Sequence, residues 1–156
     1  MISVPLSTYL SQDRLQAIEN NTSLPERANG SVLFADISGF TALAETLTRS
    51  HGKRLGTERL SIQLEQVYTA LITQVETMSG SVVGFAGDAI TCWWEEESDS
   101  ALRAATAALG MQAAMQNFPK LNLKAGLASG PVRRHGVSRS RGITPIVTLL
   151  LWIFPP

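Results

Sequence analysis

Two short apolar segments, residues 81–85 (SVVGF) and 89–94 (AITCWW), are separated only by Ala86-Gly87-Asp88. Parallel strands need a crossover of roughly a dozen residues or more, so a link this short can join the two segments only as an antiparallel hairpin. Gly and Asp are the residue types such a turn selects, because Gly reaches positive φ without steric cost and Asp tolerates tight backbone. Whatever else the chain forms must fit a sheet that contains this hairpin.

The segments around it have clear periods. Residues 31–37 (SVLFADI) are a short apolar run ending in an aspartate, which suits a central strand covered by its neighbours. Ser38-Gly39 breaks the run, and a helical pattern starts near Phe40-Thr41 with Leu43, Ala44 and Leu47 on one face. Residues 50–56 (SHGKRLG) read as a loop. From 57 to 78, Leu60, Leu64, Val67, Tyr68, Leu71, Ile72 and Val75 recur at three- and four-residue steps, which predicts a second helix. After the hairpin, residues 100–118 are Ala-rich and periodic, hence helix, and 121–128 alternate as a last strand. With the first two helices taken as one broken crossover, the order β-α-α-β-β-α-β predicts an α+β fold. It is the ferredoxin-like βαββαβ arrangement, an antiparallel sheet with helices on one face.

The chain divides into three stretches. Residues 1–30 read as an N-terminal helix over 7–20, with Leu10, Leu15 and Ile18 on one face, followed by a linker marked by Asn21, Pro25 and Asn29-Gly30. Residues 31–132 form the domain. From 133 onward the character changes: Arg133, Arg134, Arg139 and Arg141 surround His135, and an uncharged apolar tail then ends in Pro-Pro. With 13 basic and 13 acidic side chains the net charge is zero, which gives no general footprint for nucleic acid. The longest apolar stretch, 146–154, is too short to span a bilayer, which needs about twenty residues. The N-terminus lacks a basic region followed by an apolar run, so no signal peptide is expected, and a cytoplasmic location fits. The single cysteine, Cys92, reads as a buried strand residue.

Two carboxylates carry the chemical interest. Asp36 ends the first strand and Asp88 sits in the hairpin, and these elements are neighbours in a ferredoxin-like sheet. Converging carboxylates repel unless a cation lies between them, and Mg²⁺ or Mn²⁺ prefers such hard oxygen ligands together with substrate phosphates. Next to Asp36, Ser38, Gly39, Phe40 and Thr41 form a loop and a helix start, whose free amides and dipole can cradle phosphate. The spacing also fits a plainer reading, in which Asp36 caps a helix and Gly87-Asp88 is merely a turn.

The stretch VLFADISGFTALAETL (32–47) closely resembles the first metal motif of class III adenylate and guanylate cyclases. GSVVGFAGDAITCWW (80–94) resembles their second, a hairpin carrying Gly-Asp, and LKAGLASGPV (123–132) resembles a later strand. The match is nearest to the N-terminal cyclase halves of soluble multi-domain proteins. The resemblance implies a ferredoxin-like fold and cyclisation of ATP or GTP to a 3′,5′-cyclic nucleotide with release of pyrophosphate. Two divalent ions, Mg²⁺ or Mn²⁺, would be held by Asp36, Asp88 and the carbonyl of Ile37. Amides of Ser38 to Thr41 and Gly87 would hold the triphosphate. It further implies a shared site, completed by a homodimer partner or a second cyclase domain. Two features depart from the pattern. Gly84 stands where many relatives carry a base-reading lysine, and nothing beyond 132 matches the family's later acidic, Asn and Arg elements. An inactive metal-nucleotide-binding module, and a truncated product, are therefore competing readings.

Overall fold

The computed structural model describes residues 12–133. A short helix α1 (Gln12–Glu19) precedes β1 (Arg27–Ser38), α2 (Phe40–Thr77), β2 (Ser81–Ala86), β3 (Ala89–Glu95), α3 (Ser100–Met115) and β4 (Asn122–Arg133). The four strands form one sheet in the order β2-β3-β1-β4, and every neighbouring pair is antiparallel. This is the ferredoxin-like order that the element pattern predicted.

Alternation along β1 sets the two faces of the sheet. Leu33, Ala35 and Ile37 are fully buried and join Leu43, Val67, Leu71 and Val75 of α2 and Ala104, Ala107 and Met111 of α3 in one core. The small alanines let α3 lie close to the strands. On the opposite face Val32, Val83 and Trp93 form a smaller cluster, whereas Phe34 is half exposed. The adjacent tryptophans thus serve both faces. Trp94 is buried in the main core and its indole N–H donates to the Met78 carbonyl at 2.9 Å, while Trp93 donates to the Glu95 carboxylate on the other side.

Several boundaries differ from the sequence reading. β1 begins at Arg27, inside the stretch read as linker, because β4 extends to Arg133 and offers partners that far: Arg27 pairs with Arg133 and Gly30 with Gly130. The loop expected over 50–56 shrinks to a single non-helical residue. Gly52, at φ 76 and ψ 166, bends α2 without ending it. In α1 the buried residue is Ala17, while Ile18 is largely exposed, so the face proposed through Ile18 is not the packed one. At the start of α3, Glu97 and Asp99 both pair with Arg103, at 2.8 and 3.0 Å. Leu10 and the tail beyond 133, with Arg134, His135, Arg139 and Arg141, lie outside the described residues.

Candidate active site

β1 delivers Asp36 to the open face of the sheet, next to the exposed Phe34 and opposite the buried Leu33 and Ala35. Its direct cross-strand partner on β3 is Ala89, the residue after Asp88. One further contact locks the hairpin to this strand end, where the Ile37 amide donates to the Asp88 carbonyl at 3.3 Å. The backbone of Asp88 therefore lies one residue along the hairpin from the cross-strand partner of Asp36. The turn that presents Asp88 has only two central residues, and Gly87 takes φ 64 there with open space where a side chain would stand.

Gly39 makes the second half of the site. It caps α2 at φ 106, a left-handed conformation that L side chains avoid. A Cβ there would lie 2.6 Å from the Lys120 carbonyl. No side chain caps the helix, and its first turn has no acidic residue. The first helical bond runs from the Leu43 amide to the Gly39 carbonyl at 3.0 Å, so the amides of Phe40, Thr41 and Ala42 have no acceptor within the helix. Ser38, Gly39, Phe40 and Thr41 thus supply a helix N-terminus beside Asp36, the setting in which anions bind backbone.

Two neighbours were not singled out from the sequence. Lys124 of β4 is the cross-strand partner of Asp36 on the other side of β1. It is exposed and takes part in none of the ion pairs among the described residues. The alternation of 121–128 marks Lys124 as facing away from the core, but only the β1–β4 register sets it opposite Asp36. Tyr68 of α2 stacks edge-on against Phe85 of β2, with ring centroids 5.7 Å apart. Burial raises its phenol above the ordinary tyrosine value, and the charge of nearby Asp88 raises it further. Tyr68 thereby backs the hairpin that carries Asp88.

Asp36 and Asp88 could hold a divalent ion only together with ligands from outside the chain. Among the described residues no group of three or more His, Cys, Asp or Glu side chains converges. Two carboxylates and a carbonyl would leave coordination positions for phosphate oxygens and water, as Mg²⁺ sites commonly do, while the free amides could bind phosphate oxygens only.

No protein-family profile matches the chain. Adenylate cyclase type 10 of Rattus norvegicus is 35% identical over 78 residues, a match covering 47% of this chain and 5% of that protein. A bacterial light-regulated adenylyl cyclase superposes with a TM-score of 0.69 at 17% identity, over 86% of this chain and 41% of that one. The guanylate cyclase domain of RhGC from Catenaria anguillulae, solved in complex with GTP, superposes at 0.59 with 22% identity, over 75% of this chain and 65% of its own. The described chain has the class III cyclase fold. It spans only part of each cyclase it resembles, and about a twentieth of the curated relative's length. None of the described helices is long and apolar enough to cross a membrane.

Proposed function

We propose that this chain is the first part of a nucleotidyl cyclase catalytic domain, comprising residues 31–132 plus the strand start at Arg27, with 133–156 a tail of separate character. The reading rests chiefly on one observation, the Ile37 amide bonded to the Asp88 carbonyl, which ties the Asp88 hairpin to the strand end bearing Asp36. Asp36, Asp88 and the Ile37 carbonyl would hold Mg²⁺ or Mn²⁺, two ions in all. Bound there, such ions lower the pKa of a ribose 3′-hydroxyl and neutralise triphosphate charge. The amides of Ser38 to Thr41 and of Gly87 receive the phosphate oxygens, and Lys124 adds a cation from β4. The ribose 3′-oxygen attacks the α-phosphorus, and its proton passes to solvent. The bond from that phosphorus to the bridging oxygen breaks, and pyrophosphate leaves with the electron pair.

The open sheet face favours a shared site. Phe34, two residues from Asp36 on the same face, is 47% exposed, an apolar surface that a second cyclase domain or a second copy would cover. Base choice between ATP and GTP belongs to that partner or to residues other than Gly84. Nucleoside triphosphate as substrate fits a cytoplasmic setting. The test is product formation from ATP or GTP with Mn²⁺, read by mass spectrometry, with Asp88→Ala as control. Cyclic nucleotide that disappears in the variant supports the reading. Tight Mn²⁺–nucleotide binding without product favours the inactive-module alternative, because the family's later Asn and Arg have no counterpart here and each such contact is worth about 10²–10³ in rate.

A further inference from the structure

The sheet runs β2-β3-β1-β4, so among the described residues the side of β4 turned away from β1 has no strand beside it. β4 pairs with β1 residue for residue from Asn122 to Arg133, without a bulge. A long edge of this kind offers a row of free N–H and C=O groups to another strand, and proteins commonly blunt such edges with charge, proline or a bulge. Residues 125–130 carry no charge, and Pro131 lies past their end. The core side of the sheet is also unfinished here. Leu127 stands opposite Leu33, and Ala125 opposite Ala35. Leu33 and Ala35 are fully buried, yet Leu127 is 41% exposed and Ala125 is exposed as well. Apolar core surface therefore continues onto β4 and is left uncovered there.

The segment that follows β4 in the chain has the composition to cover it. Residues 146–154 (IVTLLLWIF) are uncharged, contain neither Pro nor Gly, and are apolar except for Thr148. A β-branched and aromatic run of this kind pairs readily with an open edge. Residues 134–145 join it to β4, a link of twelve residues that includes Gly136 and Gly142, long enough for the chain to reverse and return alongside. A link this short holds the segment near the edge at an effective concentration of about millimolar, which favours it over a second copy. We propose that 146–154 adds to the free edge of β4 as an antiparallel fifth strand, opposite 122–130. The pairing stops short of Pro131, which has no N–H to give. In this register Leu149 lies opposite Leu127 and Leu151 opposite Ala125, and Val147 and Ile153 share their core side. The one polar residue, Thr148, falls on the open face of the sheet. The proposal concerns the side of β4 away from β1 and holds whether or not Asp36 and Asp88 bind a metal.

NMR of the full chain tests it. The expected result is a set of cross-strand nuclear Overhauser contacts between backbone protons of 146–154 and 122–130, with Leu150 opposite Gly126. In a mixture of isotope-labelled and unlabelled chains these contacts should stay within one chain. Leu150→Pro removes an N–H in the middle of the added strand. It should speed amide exchange along the free edge of β4 by about tenfold or more, the factor carried by re-exposing one leucine side chain. Leu150→Val should leave that exchange slow. Amides of β4 that face β1 should exchange alike in all three chains, which shows that the domain stays folded. Absence of contacts between the two segments, contacts that run only between chains because a second copy fills the edge, or unchanged exchange in Leu150→Pro would each overturn the proposal.

Discussion

Gly39→Ala should destabilise the domain by more than Gly87→Ala. Two costs add at this position. An L residue held in the left-handed region loses about 1–2 kcal/mol. The new methyl would also lie 2.6 Å from the Lys120 carbonyl and 3.4 Å from the Leu121 side chain. That carbonyl belongs to a turn closed by the bond from the Leu121 amide to the Phe118 carbonyl at 2.9 Å, so it cannot yield without moving the start of β4. Overpacking of this kind costs about 1–3 kcal/mol. The sum is about 2–5 kcal/mol, or a fall in Tm of roughly 8–20 °C at about 4 °C per kcal/mol for a domain of this size. Gly87→Ala isolates the first cost, because Gly87 also has positive φ but its missing side chain would meet nothing within 4 Å. It should lose only about 1–2 kcal/mol. Urea unfolding followed by the fluorescence of the buried tryptophans measures both. If Gly39→Ala were no less stable than Gly87→Ala, the close approach of the phosphate loop to Lys120 would be refuted.

Three further outcomes follow from contacts described above. Lys124→Gln should leave the unfolding midpoint unchanged but weaken Mn²⁺–ATP binding by about tenfold or more, since hydrogen bonds to charged groups contribute about 1.5–3 kcal/mol; calorimetric titration checks this, and unaltered affinity would remove Lys124 from the site. Trp94→Phe should cost about 2–4 kcal/mol in denaturant unfolding, through a smaller ring in the core and an unsatisfied Met78 carbonyl; a loss below about 1 kcal/mol would contradict the packing. Burial pushes the Cys92 thiol up to about 12 from 9.0. The raised value makes this contribution to stability complete below about pH 9, and it is lost as pH climbs towards 12. Native Cys92 should therefore resist iodoacetamide at pH 8 and react only on unfolding, and rapid native-state labelling would place it outside the core.

The parts of the fold that were legible in the sequence are those where one local rule decides. The three-residue link at Gly87-Asp88 forced a hairpin, and the three- and four-residue steps of Val67, Leu71 and Val75 fixed the buried side of α2. What escaped depended on partners distant in sequence. β1 could not be extended back to Arg27 without knowing that β4 runs to Arg133 and pairs there. The continuity of α2 through residues 50–56 was hidden because two glycines and a histidine signal a loop, yet one glycine absorbs the whole bend. In the candidate site, Asp36 and Asp88 were singled out because one closes an apolar run and the other follows Gly87 in a tight turn. Lys124 was missed because a lysine in an alternating strand looks like ordinary solvent-facing polarity until the register sets it opposite Asp36. Tyr68 was assigned to the helix core by its period, which is correct for its ring and silent about its hydroxyl.

The central claim is that Asp36 and Asp88 form one metal–nucleotide site. Electron paramagnetic resonance of Mn²⁺ tests it most directly, because the six-line signal of the free ion collapses on binding. With ATP present, the unmodified chain should bind Mn²⁺ beyond what nucleotide alone takes up, and Asp36→Asn and Asp88→Asn should each remove that excess while unfolding at the native midpoint. If the two variants bound Mn²⁺ as the unmodified chain does, the two carboxylates would not be the ligands, and the account of the site would be wrong.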